Sequence, residues 1–401
     1  MASKEKSALK KSQSSFMLYG VARVNEQYTY KIDEKSKNSD WIYNSMNIGI
    51  ECGEYGTIYA EMMGGYGADR ENFVYLHGKK EEDGKMVDDF SDRIKLDWDQ
   101  RLEESMFDSY GNNCFIRVGI ANDEKGNLHI KKFLSEYDAI AYIKEYLTDG
   151  MVVRVRGDLE YSQYENTVRV KKKITSIYLA KEDPEKYTAE FTQGILITKD
   201  SVDDYDKDTE TYPVYAKVVD YVGKVRVDGK QVEVKQNVTF NSLFYIMCPT
   251  AEKGKMLVNR AFKPKKSGEV WEVVVEGFIN RAGSTVNVSL DDLGEDIRYL
   301  VECEILTEEE ALEKAVPNAK VSEKFMIKNP KVKFVGDEKI PKFSIITDKF
   351  VEDDFADYAT FMPDSDDEDE TTTSTSSDNS AEEEVVVTDD LLDSLLAGMG
   401  D

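Results

Sequence analysis

Five cations recur at alternate positions along one stretch of this sequence: Arg154 and Arg156, then Arg169, Lys171 and Lys173. Residues 151–181 hold seven Lys and Arg against three acids, Asp158, Glu160 and Glu165, a local balance of +4. Alternation at period two places the cations on one face of a β-ribbon, while Val153, Val155, Leu159, Val168, Val170 and Ile174 take the other. Clustered cations suit phosphate groups, and flat rings give unpaired bases a place to stack. The turn of the ribbon supplies Tyr161 and Tyr164. Tyr59 and Met63 fall on the polar face of an earlier hairpin, and Trp41 and Tyr43 follow a Lys/Asp/Ser loop. Arg281 lies at the matching turn of a second ribbon, in Asn280-Arg-Ala-Gly-Ser284. The competing reading is a solvated basic edge that blocks strand pairing.

Other chemistry finds little support. Gly223 to Gly229-Lys230 has the wrong spacing for a phosphate-binding loop, and Gly65-Tyr-Gly67 lacks a third glycine. His77 and His129 are 52 residues apart and give no nucleophile–base pair or metal-ligand spacing. Asp97 and Asp99 flank Trp98, but a solvated strand or loop is the simpler reading. We therefore expect a binding protein with no catalytic residues, no metal and no cofactor. Cys52, Cys114, Cys248 and Cys303 form no C-x-x-C pair, as expected of a cytosolic protein with free thiols. No stretch approaches about 18 apolar residues, so no membrane helix is expected.

The net charge of −27 divides unevenly. Residues 351–401 carry 18 acids and no Lys or Arg, leaving the rest of the chain with 61 acids against 52 bases, a net −9. Such a run repels itself and is expected to be a disordered tail. Its tip, Thr388 to Asp401, repeats Leu391, Leu392, Leu395, Leu396 and Met399 at helical spacing behind Asp389 and Asp390, a pattern suited to docking a partner.

Positioning the cations and rings requires strands. Residues 1–15 are polar and expected to be disordered. Phe16–Val24, Tyr28–Ile32, Met46–Glu51, Thr57–Met63 and Cys114–Ile120 read as strands. Alternation in the second pair puts Met46, Ile48, Ile50, Ile58, Ala60 and Met62 on one face. Residues 64–113 read as an insertion. Apolar residues at 139, 140, 143 and 147 predict a helix capped by Ser135, and the long ribbon 151–179 follows. Several strands, one helix and a final hairpin is the element order of a five-stranded OB barrel. A charged linker leads to a second β-rich block over 187–347, whose last hairpin, with Thr285–Leu290 as its return strand, echoes the first. A helix is expected over Glu308–Val316. The fold class expected is mainly β: tandem OB-like barrels over 16–182 and 187–347, a few short helices, and an acidic tail over 351–401.

Tyr19-Gly-Val-Ala-Arg23, Ala60-Glu-Met-Met-Gly-Gly-Tyr-Gly67 and Asp149-Gly-Met-Val-Val-Arg-Val-Arg-Gly-Asp-Leu-Glu-Tyr-Ser162 resemble a family of bacteriophage OB-fold single-stranded DNA-binding proteins. The resemblance spans about residues 16–300 and is most specific at Gly157–Ser162. It implies coating of single-stranded DNA during phage replication or recombination in the cytoplasm of the infected host cell. It also implies recruitment of replication or recombination proteins through the acidic tail. Tails of that family usually finish in an aromatic residue, whereas this one ends Leu-Leu-Ala-Gly-Met-Gly-Asp401. The rival reading is a non-enzymatic β-domain virion or assembly protein, which would ignore DNA.

Overall fold

Residues alternating in polarity build eighteen strands and two α-helices among the described residues of the computed structural model. The structure describes residues 9–281, 301, 303 and 323–355, apart from short stretches at 38, 83, 124, 165–166, 228–229 and 336–338. The helix expected over Glu308–Val316, the return strand expected at Thr285–Leu290 and the tail tip lie outside the described residues.

In chain order the first half contains β1 (Ser14–Arg23), β2 (Tyr30–Lys35), β3 (Trp41–Glu51), β4 (Thr57–Gly67), β5 (Phe73–Glu82) and β6 (Lys85–Asp97). It continues with β7 (Ile116–Asn122), β8 (Leu128–Phe133), α1 (Glu136–Tyr146), β9 (Val152–Tyr164) and β10 (Thr167–Leu179). β1 pairs β3, β3 pairs β4, β4 pairs β10 in parallel, β10 pairs β9, and β9 returns to β1. Five strands closed in that order, with a helix before the fourth, define an OB-like barrel. Met46, Ile48, Ile50, Ile58, Ala60 and Met62 all face its core, as their alternation predicts. The Ser135 side chain accepts a hydrogen bond from the Asp138 amide and caps α1. The inserted β5–β6 hairpin has its own small core of Leu76, Leu96, Phe107, Tyr110, Phe115 and Leu134.

The second half contains β11 (Thr188–Ile197), β12 (Thr211–Val227), β13 (Lys230–Met247), α2 (Ala251–Ala261), β14 (Glu269–Asn280) and β15 (Lys324–Pro330). β16 (Val332–Val335), β17 (Ile340–Phe343) and β18 (Ile345–Val351) follow. The pairing scheme repeats: β11–β12–β13, then β13 to β15 in parallel, β15–β14, and β14 back to β11. α2 again precedes the fourth strand. The chain is therefore a mainly β protein of tandem OB-like barrels. Among the described residues, the strand that pairs with β14 and closes the second barrel is β15.

The two barrels match residue by residue where they meet. β1 and β11, each the first strand of its barrel, pair antiparallel with Phe16 directly opposite Phe191. Phe16 faces Gly157 on its own fourth strand, and Phe191 faces Gly277 on its own. Each glycine lies beside a bulge in the fifth strand, between Ile174 and Ser176 in β10 and opposite Gly277/Glu276 in β15. Self-complementary pairing about equivalent residues is how two copies related by a two-fold axis meet. The junction thus has the pairing of a symmetric dimer built into one chain.

Residues 9–15, expected to be disordered, are instead part of the fold. Leu9 is buried with Leu196, Val219, Val270 and Phe350. Lys11 pairs with the buried Asp220 at 2.6 Å, and β1 already begins at Ser14. One leucine and one lysine with waiting partners in the second barrel hold down an otherwise polar segment.

Candidate functional site

The outer face of β3–β4 gathers four of the expected residues. Register pairs Gly49 with Tyr59, Asn47 with Glu61, Ser45 with Met63, Tyr43 with Gly65 and Trp41 with Gly67. These positions share the face opposite the core, because the intervening residues Met46, Ile48, Ile50, Ile58, Ala60 and Met62 point inward. Tyr59 and Met63 are 46 % and 50 % exposed, which makes their surfaces available to a ligand. Trp41 and Tyr43 stack on each other, with centroids 4.9 Å apart and planes 18° apart. Gly65 opposite them leaves no room for a side chain: a Cβ there would stand 2.1 Å from the Ile42 carbonyl oxygen. Arg281 arrives from the second barrel, its guanidinium 4.9 Å above the Tyr59 ring and its amide bonded to the Tyr55 carbonyl.

The cations divide into two groups. Arg169, Lys171 and Lys173 lie along the outer face of β10, next to β4, where Lys173 pairs in register with Glu61. Acids engage both lysines: Lys171 meets Glu61 at 3.2 Å, and Lys173 meets Glu136 at 3.3 Å and Glu160 at 3.7 Å. Burial pulls the Lys173 ammonium down, but these carboxylates outweigh it and hold it above its ordinary value. Arg154 and Arg156 lie past the β10 bulge and line a separate cleft of about 630 Å³ with Tyr19, Tyr178, Lys181 and Lys186. There the Arg154 guanidinium sits 4.8 Å over the Tyr19 ring. The five cations therefore do not converge on one groove.

Tyr161 is not at the ribbon's tip. It is buried at the junction, where its amide donates to Asp220 at 2.8 Å and its hydroxyl to Gln193 at 3.3 Å. Burial and the Asp220 carboxylate push its phenol upward. Its parity with Val155 and Leu159 carried that signal in the sequence. The side chain of Tyr164 lies outside the described residues. Lys172, which sequence reasoning passed over, falls on the inward side and is buried against Glu323 at 2.6 Å.

A second constellation was not legible at all. His77 on β5 stands with Nδ1 3.3 Å from the Cys114 thiol and Nε2 3.3 Å from Asp88 on β6. The amides of Asn112 and Asn113 donate to Asp88 at 2.6 and 2.9 Å. These outweigh the upward push of burial and, with His77, hold the carboxyl below its usual range. The order resembles a nucleophile–base–acid relay, but burial and Asp88 push the Cys114 thiol up, so at neutral pH it is protonated. The cluster ties the inserted hairpin to the loop before β7. Alkylation by iodoacetamide at pH 7, followed by mass spectrometry, should therefore modify the exposed Cys303 well before Cys114. Cys114 labelling should climb only above its ordinary value of 9.0, and equal rates at pH 7 would contradict this account. Among the described residues, no group of three or more His, Cys, Asp and Glu is arranged to hold a metal ion.

The fold and the site thus define a two-barrel OB-like β protein with a ring-bearing outer face on its first barrel. By sequence the chain belongs to the YorF family, whose profile matches residues 103–305, just over half of its length. None of the curated proteins matches it. Among solved structures it is similar to the wild-type single-stranded DNA-binding protein from Thermus aquaticus, at 11 % identity and a TM-score of 0.27. That likeness covers 68 % of this chain and 86 % of that one. A deletion mutant of the same protein gives 11 % identity, a TM-score of 0.27 and coverages of 67 % and 87 %.

Proposed function

We propose that this chain binds single-stranded DNA with little sequence preference, laying bases across the outer face of β3–β4. In OB barrels the second and third strands, flanked by the loops after strands one and four, form the oligonucleotide surface. The observation that carries the reading is the presence of Tyr59, Met63 and the Trp41–Tyr43 stack on that one face. Arg169, Lys171 and Arg281 border it and offer contacts to phosphates. A phosphate reaching Lys171 must displace Glu61, a replacement of one anion by another that keeps the lysine paired. Arg154 and Arg156 provide a second cationic surface, two strands further round the barrel. In this reading the protein serves phage replication or recombination in the infected cell, and the tail recruits partner enzymes through Leu391, Leu392, Leu395, Leu396 and Met399.

The test is an anisotropy titration with labelled oligothymidine and with duplex DNA. Stacking is worth about 1–3 kcal/mol per base, so Tyr59→Ala and Trp41→Ala should each weaken single-strand binding about 5- to 150-fold. The duplex should bind far more weakly than the single strand. Wild-type protein that ignores the oligonucleotide, or variants that bind it undiminished, would remove the assignment.

A further inference from the structure

We infer that the β16–β17 ribbon is the docking site for the acidic, leucine-bearing tip of this same chain, residues 388–401. The inference stands apart from the nucleic-acid reading. β16 and β17 pair only with each other among the described residues, forming a two-stranded ribbon outside the main sheet. Its base is pinned by the Lys331 amide to the Val274 carbonyl at 2.7 Å, and by the Ser344 amide to the Lys331 carbonyl at 2.7 Å. Beyond that base it stands uncovered: Phe334 is 70 % exposed, and Val332, Val335 and Ile340 are exposed too. Register puts Val332, Phe334, Pro341 and Phe343 on one face, and Lys333, Val335, Ile340 and Lys342 on the other.

Two features of this ribbon call for an occupant of defined chemistry. A lone two-stranded ribbon is marginal in water, and large apolar side chains on it gain from being covered. Lys333 and Lys342 lie directly opposite each other, and like charges so placed are destabilising until an anion joins them. Neither they nor Lys339 has an ion pair among the described residues. Four lysines stand against two acids over residues 331–343. Lys333 and Lys342 share their face with the exposed Val335 and Ile340, so a partner lying there must be both apolar and anionic.

The chain's own tip has that composition. Leu391, Leu392, Leu395 and Leu396 are interleaved with Asp389, Asp390 and Asp393, and no Lys or Arg occurs after residue 350. β18 leaves the ribbon and leads directly into the tail, so both begin from one region of the second barrel. Residues 356–387 number 32, and that many residues at coil dimensions span about 30 Å root-mean-square, enough for the tip to return to the second barrel. A tethered segment within reach acts at an effective concentration near millimolar, which favours the chain's own tip over that of a second copy.

The test keeps the chain at full length. In Leu391→Ser/Leu395→Ser protein the dock would be vacant, and a fluorescent peptide of residues 385–401 should bind it about tenfold or more tightly than it binds wild type, where the tethered tip competes. Adding Val335→Ser with Ile340→Ser, or Lys333→Glu with Lys342→Glu, should abolish that binding. Hydrogen exchange at the β16–β17 amides should quicken when the tip carries the two serines. Equal peptide affinity for wild type and the tip variant, or peptide binding indifferent to the ribbon substitutions, would overturn the inference. A wild-type dimer that the tip variant dissolves would assign the dock to a second copy instead. Ribbon variants that lose oligonucleotide while retaining peptide would assign it to nucleic acid. Either result refutes the intramolecular contact.

Discussion

Gly157→Ala and Gly277→Ala should each destabilise the protein by about 3 kcal/mol or more, lowering the melting temperature measured by calorimetry. The cause is space rather than backbone conformation, since neither glycine is among those with a positive φ. A Cβ on Gly157 would stand 1.8 Å from the Lys173 carbonyl oxygen, and one on Gly277 would stand 1.9 Å from that of Met326. Both obstacles are main chain, so neither can rotate aside. Each belongs to the fifth strand of its barrel, hydrogen-bonded to the fourth, and moving it opens the pairing that closes the barrel. Gly223→Ala is the control: its Cβ would meet only the Tyr221 ring, at 3.7 Å. There the loss of unfolded-state freedom should leave stability unchanged or raise it by about 0.4–1 kcal/mol. If the two closing glycines tolerated alanine as Gly223 does, the fourth and fifth strands would not meet in the register described, and the repeat between barrels would lose its clearest mark.

The elements of the first barrel were legible because each depends on neighbours in sequence. Period two in Met46–Met63 and Val153–Ile174 declared an inward face, and the helical spacing from Ala139 to Leu147 behind Ser135 declared α1. The site face was legible for the same reason, since Tyr59 and Met63 must oppose Ile58 and Met62. Long-range features were not. Nothing near Lys171 or Lys173 in sequence names Glu61 or Glu136 as partners, yet those acids decide how much free charge the ribbon offers. Nothing in the sequence singles out Lys172, and only the approach of Glu323, 151 residues away, makes its burial tolerable. α2 escaped notice because Gly254 sits inside it. The structure shows why glycine is there: a Cβ would lie 2.4 Å from the Tyr212 ring and 2.7 Å from the Cys248 sulfur. β15, which pairs with β14, begins 44 residues after β14 ends, and no local pattern links two strands at that separation.

Lys11→Met should cost about 3 kcal/mol, a larger loss than any surface ion pair would produce. Its partner, Asp220, is 4 % exposed and lies on β12 where the two barrels touch. The Asp220 carboxylate accepts from the amides of Tyr161 and Tyr221, both at 2.8 Å, and from Lys11 at 2.6 Å. Without the ammonium, a buried anion keeps two neutral donors and no cation, which is the costly way to break a pair. Lys11 itself remains 36 % exposed, so the loss belongs at the lower end of the range for buried pairs, about 3–5 kcal/mol. Asp220→Asn should also destabilise, because an amide presents one acceptor oxygen where two main-chain amides and an ammonium now donate. Lys11→Met combined with Asp220→Asn should then lose less than the sum of the single losses, since the methionine no longer strands a charge. Leu9→Ala reports on the same arm by a different route: it removes a buried side chain from the cluster around Val219 and Val270 and should cost about 2–3 kcal/mol. Denaturant midpoints for the four proteins separate these contributions. A Lys11→Met midpoint equal to wild type would mean that the arm does not clamp Asp220 in solution. The barrels would then be held by the β1–β11 pairing, their shared apolar core and the contacts of Tyr161 with Asp220, Lys172 with Glu323 and Arg281 with Tyr55.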